Sequence, residues 1–552
     1  MSEADIAIRG EVPGGSAHSR AVADVRCEAG SDVSAAADLG AAYKAKIAGW
    51  LRWLCSFPAM LGALLVGATF TVVRSFSVDP DMWWHIRTGE LILSTHRWAT
   101  TDPYSYTAAG APWMSCEWLG DVFFAVVYRF GGLRGLEVLL AVLASAVILA
   151  LYGFATLRSG NCKAAFLVSA VLLALATASF NLRPQMLGYL FLILTLIALE
   201  RFRQGKQRTV WLLPVLFLVW VNTHGSWIVG LATVALYIVA GLVSFQIGSL
   251  ETRRWTKAER LRLEIVFLLS LVAIPITPYG VRLASYPFAV ASTLPISVAN
   301  ILEWQVMPFN LGGGKLFLAL VLGFFLAQIV FRFSWHLAEL LLFLIGTAMA
   351  CMHLRFLMLF VPFFAPLAAT MLAKCAPAYN KGKDQYLLNF ALMVSVVIAM
   401  AHYFPSKADM EKKVAAQFPV QALEYMRAHP VPGPLFNSYG FGGYMIEAGY
   451  KTFIDGRSEL FEQTGVLGDY VHITFLRPGA LQVLGGYGIQ SCLLQRAEPF
   501  ATLLASSPDW SKVYSDQLSA LFVKRNASDA RTQALALALA ESAPPATAAH
   551  SR

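Results

Sequence analysis

The feature that most constrains this chain is a succession of apolar runs, each near the length a helix needs to cross a bilayer. With about twenty residues as the spanning length, the runs fall at 50–74, 136–157, 164–180, 185–201, 209–223, 226–247, 264–278, 314–331, 336–352, 355–373 and 385–404, about eleven helices in all. The expected fold is an all-α polytopic membrane bundle. The runs at 209–223 and 264–278 are short for a full crossing, and are read as re-entrant or as packed where the membrane is thin. Composition agrees. Of 552 residues, 57% are hydrophobic and 14% charged, with mean hydropathy +0.57, outside the soluble globular range. The first forty residues have mixed charge and no apolar core of the signal-peptide kind.

Charge sets the orientation. Arg158 and Lys163 share one short loop. Further loops on the same side hold Arg201, Arg203, Lys206 and Arg208, then Arg253, Arg254, Lys257, Arg260 and Arg262, then Arg332, then Lys374, Lys381 and Lys383. Lys44, Lys46 and Arg52 lie on that side too, so the positive-inside rule makes it and the N-terminus cytoplasmic. The net charge of +9 is spread over these loops and carries no nucleic-acid footprint.

Segments with unusual polar chemistry then fall on the other, external side. They are the first loop (75–135), Asn181–Gln185, Asn222–Ser226, Thr277–Gly280, Glu303–Gln305 and His353–Arg355. The region 405–525 is external as well. It is less apolar, with β-like runs at Thr452–Asp455 and Ala520–Lys524, and reads as a small α/β domain. The division is 1–45 disordered, 46–404 membrane domain, 405–525 external domain and 526–552 disordered tail. A cavity shared by the external loops explains why the polar groups gather on one face.

The first external loop opens with Ser77-Val-Asp-Pro-Asp-Met-Trp-Trp-His-Ile-Arg87, directly after a membrane-length run. Charged groups at that depth are costly and usually have a partner or a task. An aromatic belt accounts for Trp83 and Trp84 but not for Asp79 and Asp81 flanking Pro80. Residues 84–93 and 116–128 can each form a short amphipathic helix at the interface, joined by the turn-rich Thr100–Tyr106.

A long first external loop with acidic residues after the first helix and two interfacial helices resembles the class C (GT-C fold) membrane glycosyltransferases. That superfamily includes oligosaccharyltransferase catalytic subunits, protein O-mannosyltransferases and lipid A sugar transferases. Asp79-Pro-Asp-x-Trp-Trp-His-x-Arg-x-Gly-Glu90, Asp102–Thr107, Glu117-Trp-Leu119, Asn222–Gly225, Glu303-Trp-Gln305 and Ile454-Asp-Gly-Arg457 are similar to a group of bacterial membrane proteins of that type. The resemblance covers about residues 50 to 460. It implies an enzyme, an inverting glycosyltransferase. A sugar would pass from a polyprenyl-phosphate donor to a lipid-linked or cell-envelope glycan at the external face of the bacterial plasma (inner) membrane. It also implies an acidic first-loop residue as base or metal ligand, a role carried to Asp79 or Asp81. The chain departs from oligosaccharyltransferases where their Trp-Trp-Asp-Tyr-Gly motif would stand: here the sequence is Asn437–Tyr444, which argues against transfer to an asparagine sequon.

Such a transfer needs a base, positive charge for the leaving phosphate, and a greasy groove for the lipid. Asp79 and Asp81 supply carboxylates, and oxygen ligands if a divalent cation (Mg or Mn) is used. Glu117 is a third catalytic candidate, against a plain interfacial position facing water. Arg183 and Arg355 each end an apolar helix. Snorkelling explains either alone, and two on the face of the aspartates point to donor phosphate. His224 in its tight turn, Glu303, and His85 and Arg87 of the first motif complete the substrate-binding candidates. Stacking on Trp83 or Trp84 would also explain His85. Phe441–Tyr444 lacks the lysine of a phosphate loop, and Asp455-Gly-Arg457 reads first as a turn with an internal salt bridge. The scattered cysteines lack metal-cluster spacing. Cys116 and Cys492 alone fall in external segments, and nothing in the sequence pairs them. The alternative functions are a lipid or glycan transporter, against which stands the lack of internal repeats, and a non-catalytic assembly factor for envelope polysaccharide.

Overall fold

The computed structural model describes Lys46 and residues 49–74, 78–292 and 295–525. The segments 1–45 and 526–552, expected to be disordered, lie outside these. The chain is mostly helical, and each of the eleven apolar runs forms helix. Among the described residues, five helical stretches are long and apolar enough to cross a membrane: Trp118–Ser159, Cys162–Ser179, Gln185–Arg203, Gly312–Phe331 and Leu354–Leu372. The bent pair Tyr386–His402 and Lys407–Gln417 makes a sixth if counted as one span. Phe57–Val73, Thr209–Val221, Trp227–Ala240 and Leu337–Met352 are apolar but shorter. The helix of the 226–247 run ends at Ala240, short of residues 245–247. They form β1 (Phe245–Ile247), paired with β2 (Leu250–Thr252), which in turn pairs with β3 (Trp335–His336).

By internal contacts the chain divides into two units. One comprises described residues of Met1–Met60 and Asn380–Val394, the other those of Leu61–Tyr379 and Ser395–Arg552. In the first, the Asp384 carboxylate accepts the Phe57 N–H, and Asn389 Nδ2 donates to Cys55 O. The second unit holds the site and is described below.

Two helices of the first loop position most of the site. Pro80–Thr95 starts at Asp79, whose carboxylate accepts the Asp81 N–H at 2.9 Å, with Pro80 in the first turn. Aspartate at the cap and proline at the first helical position both favour a helix start. Its inner face buries Met82, Trp83, His85, Ile86 and Ile92. It lies so close to the next helix that a Cβ at Gly89 would collide with the Asp121 carbonyl. That next helix, expected over 116–128, does not end there. It continues as Trp118–Ser159, broken only at Gly132 with φ 54°. Glycine adopts positive φ without steric cost, so the chain kinks rather than stops.

The charged groups of the helical part gather at two ends. Arg183 precedes helix Gln185–Arg203, and Arg203 closes it. At 1.5 Å rise per residue the two arginines stand about 30 Å apart, the thickness of a hydrocarbon core. At the Arg203 end, Arg158 and Arg203 both bind Glu339, at 2.6 and 3.0 Å, and Arg203 also binds Glu200. The candidate site lies at the Arg183 end.

The 405–525 region carries a four-stranded sheet in the order β4 (Leu435–Asn437), β5 (Ser491–Gln495), β7 (Ser519–Lys524), β6 (Trp510–Ser515). β4 and β5 are parallel, and β7 is antiparallel to both neighbours. The run 452–455, expected as a strand, stays out of this sheet. Thr452 bridges Ser105 of the first loop instead, its N–H donating to Tyr104 O and its carbonyl accepting the Tyr106 N–H.

Arg457 binds this region to the first loop. Its guanidinium is fully buried, pairs with Asp455 and Asp102 at 2.7 Å each, and packs over the rings of Tyr104 and Trp113. Asp102 also accepts the N–H groups of Tyr104 and Ser105. A buried ion is tolerated when every donor and acceptor is met. The Asp455-Gly-Arg457 motif is thus a structural clamp.

Candidate functional site

Arg183 sits among three carboxylates. Its Nε meets Asp79 Oδ2 at 2.8 Å, Nη2 meets Asp81 Oδ2 at 3.1 Å, and Nη1 meets Glu303 Oε1 at 2.9 Å. They come from the cap and first turn of Pro80–Thr95 and from the 3-10 turn Leu302–Trp304. The fork of the guanidinium suits such convergence, which a lysine point charge would not match. Three carboxylates around one cation leave an excess of negative charge. Burial pushes the Asp81 carboxyl up to about 6; Arg183 opposes that shift and Asp79 adds to it.

The sequence suggested Asp79 and Asp81 as ligands for a divalent cation. Here the guanidinium occupies the point where their oxygens converge, and the second oxygen of Asp79 accepts the Asp81 N–H. Among the described residues no group of three His, Cys, Asp or Glu side chains is set to hold a metal ion. The arrangement does not fit Mg or Mn at these two aspartates.

Glu117, at the start of helix Trp118–Ser159, makes no side-chain cap bond. It faces two imidazoles instead, with His224 Nε2 3.3 Å from Oε1 and His85 Nε2 3.6 Å from Oε2. His85 Nδ1 binds Asp121 Oδ1 at 2.6 Å, and Ser115 Oγ donates to Asp121 Oδ2. The His85 ring also stacks on Trp84, centroids 3.7 Å apart. Burial pushes the Glu117 carboxyl up to about 7, against the pull of His85. Burial disfavours the His85 imidazolium, but Asp121 and Glu117 outweigh it and raise its pKa. His224 is driven down to about 3 by burial and then by Arg355, and so stays neutral. The turn that carries it is tied to the same helix end, as Trp118 Nε1 donates to Asn222 Oδ1 and the Leu119 N–H to Asn222 O.

Arg355 lies in the 3-10 turn Leu354–Phe356, its guanidinium 4.2 Å above the Trp304 ring. Trp304 follows Glu303, so consecutive residues serve the two arginines. The arginines differ in one respect. Arg183 has three carboxylate partners, whereas Arg355 has none at salt-bridge distance among the described residues. His353 Nδ1 donates to Trp304 O at 2.7 Å and supports the same turn.

The C-terminal region closes the site. Gly456 rests against Asp81, and a Cβ there would collide with Asp81 Oδ1. Tyr439 Oη donates to the Gly456 carbonyl at 3.2 Å. Glu459 accepts from Tyr286 Oη at 3.3 Å and adds its negative charge to the field at Glu117.

Of the sequence candidates, Asp79, Asp81, Arg183 and Glu303 form one cluster, and Glu117, His85 and His224 form a second. Arg355 stands beside Glu303 on Trp304. Arg87 belongs to neither. It is two residues beyond His85, on the other side of the helix, half-exposed and paired with Glu90 at 3.3 Å. Cys116 and Cys492 are free thiols. Asp121, Ser115, Gly456 and Glu459 escaped the sequence reading. The spacing of Glu117 and Asp121, four residues apart on one helix face, is the signal that was available for Asp121.

No model of a known protein family matches the chain, and no curated protein matches it. Among solved structures it is similar to two crystal structures of the Archaeoglobus fulgidus oligosaccharyltransferase. One is tethered by a disulfide to an acceptor peptide containing the NVT sequon, at 13% identity and TM-score 0.48. The other is the apo form, at 12% identity and TM-score 0.49. Each match covers 79% of this chain and 69% of that one.

Proposed function

We propose that this protein is a membrane glycosyltransferase. It moves a sugar from a polyprenyl-phosphate donor to a hydroxyl of a lipid-linked or cell-envelope glycan, with inversion at the anomeric carbon. The observation that carries the reading is the contrast between the two arginines. A carboxylate cluster with excess negative charge, built around Arg183, lies beside Arg355, whose positive charge has no carboxylate partner among the described residues. Glycosyl transfer calls for that pairing. Positive charge develops at the sugar's C1 and negative charge on the departing phosphate.

In the proposed reaction the acceptor oxygen bonds to C1 as the C1–O bond to phosphate breaks. The electron pair of that bond leaves on the phosphate oxygen beside Arg355. The acceptor proton passes to a carboxylate of the site. Asp79, Asp81 and Glu303, gathered around Arg183, stabilise the cationic carbon. For the lipid tail, an apolar cleft between Cys162–Ala176, Gly312–Phe331 and Leu357–Leu372 is lined by Leu172, Gly323, Phe324, Phe364 and Ala368. On the last of these helices the lining runs from Phe364 to Met371 and on to Cys375, away from Arg355, so the cleft would take the distal part of the tail. In this reading the site opens on the external face of a bacterial plasma membrane, with the basic loops inside.

The test is sugar transfer by purified protein in lipid nanodiscs, from synthetic polyprenyl-phosphate hexoses and pentoses to an envelope lipid extract. Resonance assignment of the product anomer checks inversion. Replacing Arg355 by Gln should raise the KM for donor at least about tenfold, since a charge-assisted hydrogen bond contributes about 1.5–3 kcal/mol. A donor KM unchanged in that variant would remove Arg355 from the phosphate site.

A further inference from the structure

The proposed transfer needs a base for the acceptor hydroxyl, and the Arg183 cluster is badly arranged to supply one. Asp79 commits both oxygens, one to Arg183 Nε and one to the Asp81 N–H. Asp81 gives one oxygen to Arg183 and presses the other against Gly456. An adjacent guanidinium also makes a carboxylate a weaker base. Glu117 has no guanidinium within ion-pair distance among the described residues. Its side chain is 22% exposed, and among the described residues its partners within ion-pair distance are the two imidazoles alone.

Those imidazoles are held in opposite senses. The Ser226 N–H donates to His224 Nδ1 at 3.1 Å, so the proton of this neutral ring is on Nε2, 3.3 Å from Glu117 Oε1. His85 carries a proton on Nδ1, donated to Asp121 Oδ1. A neutral His85 therefore turns the lone pair of Nε2 towards Glu117 Oε2, 3.6 Å away. One proton fits between them, on either partner, and catalytic contacts of this length commonly tighten once substrate is bound.

We propose that Glu117 is the base for the acceptor hydroxyl, and that His85, oriented by Asp121, receives the proton from it. The proposal rests on the glycosyl-transfer reading above. The acceptor O–H proton passes to Glu117 as the new C1–O bond forms and the phosphate departs with its electron pair. Glu117 then gives that proton to His85 Nε2, and Asp121 balances the imidazolium. Asp121 is a positioning residue in this scheme, while His224 stays neutral with Nε2 beside Glu117 Oε1. The charged groups facing the couple are Asp121 and Asp81 at His85, Asp121, Arg183 and Glu459 at Glu117, and Arg355 at His224. Asp81 lies one helical turn before His85 on the same face, so proton uptake by His85 also relieves the excess negative charge of the Arg183 cluster.

The experiment compares wild type with Glu117→Gln, His85→Gln and Asp121→Asn in nanodiscs, with helix content checked by circular dichroism. Two readouts are taken: the pH profile of transfer from a polyprenyl-phosphate sugar, and the infrared stretch of protonated carboxyl groups against pH. Glu117→Gln should lower kcat about 10²–10⁴-fold. His85→Gln and Asp121→Asn should lower kcat with KM unchanged and shift the acidic limb of the profile. In the infrared, Glu117→Gln should delete one titrating band. His85→Gln should move that band to higher pH, because a positive neighbour has gone. Full activity in Glu117→Gln overturns the proposal. So does a profile and a band that stay in place in His85→Gln. If wild type transfers no sugar at all, the glycosyl-transfer reading falls. The infrared band then decides the rest: coupling to His85 upholds the shared proton, and independence of His85 refutes it.

Discussion

Gly456 lies directly against the carboxylate of Asp81, so close that a Cβ at position 456 would collide with Asp81 Oδ1. One residue of the C-terminal region thus forms a wall of the site built by the first loop. The backbone at Gly456 is not in the positive-φ region, so alanine meets no conformational barrier there, only the collision. Gly456→Ala should lower transfer at least about tenfold, as a misplacement of about 1 Å can cost 10²-fold. Helix content should be unchanged. The double variant with Asp81→Ala should lose no more than Asp81→Ala alone. A double-mutant cycle with additive losses would separate the two residues.

Arg183 fills the space between three carboxylates, and its removal should show what else can fill it. Arg183→Ala breaks a largely buried ion cluster, for which a loss of about 3–5 kcal/mol is typical. The thermal midpoint should fall, and Mn²⁺ should restore part of it in the variant but not in wild type. Wild-type transfer should persist in chelator. Mn²⁺ stabilising wild type as much as the variant would contradict the placement of the guanidinium.

Stability and activity should respond to pH in opposite directions. Asp81 and Glu117 are raised, by burial first, to about 6 and about 7 from ordinary values of 3.8 and 4.5. Folding therefore favours their protonated forms. The stability this contributes is complete below about pH 4 and is lost as pH rises through about 6 to 7. Transfer should rise across the same window, because the base must be ionised to accept a proton. Thermal melts of wild type against Asp81→Asn/Glu117→Gln, taken from about pH 5 to about pH 8, should show the decline in wild type and a shallower one in the double variant. Parallel slopes would remove both groups from the balance.

The Arg457 clamp should matter for folding rather than for chemistry. Its charge is fully buried against Asp102 and Asp455. Arg457→Gln leaves two buried carboxylates without their cation, and should cost about 3–5 kcal/mol. Arg457→Lys should rescue little, since one ammonium cannot reproduce a fork shared by two carboxylates. Limited proteolysis of the 405–525 region is the measurement, with faster cleavage in both variants as the expected outcome.

The sequence made the helices legible because hydrophobic run length is a local property. Every apolar run it marked is helical, and the misjudged boundaries have local causes, such as the continuation of 116–128 through Gly132. The convergence of Asp79, Asp81, Arg183 and Glu303 was foreshadowed by their shared side of the topology, although no spacing rule pairs Arg183 with Glu303 across 120 residues. His85 shows the limit. Its stack on Trp84 follows from adjacency, but its bond to Asp121 crosses two helices and hides in an aromatic stretch that reads as interfacial. Gly456 and Glu459 enter the site by tertiary packing alone, to which no local pattern points.

The central claim is that the carboxylate cluster around Arg183 and the neighbouring Glu117 carry out sugar transfer. The most direct measurement is label transfer from a radiolabelled polyprenyl-phosphate sugar to envelope lipid by purified wild type, by Asp79→Asn/Asp81→Asn and by Arg87→Gln, all at equal folded amounts in nanodiscs. The account predicts product from wild type and from Arg87→Gln at rates within about twofold. It predicts a fall of at least about 10²-fold in the double variant, where the charge that stabilises the cationic C1 is gone. Undiminished product from Asp79→Asn/Asp81→Asn, or none from folded wild type with any polyprenyl-phosphate sugar, would contradict it.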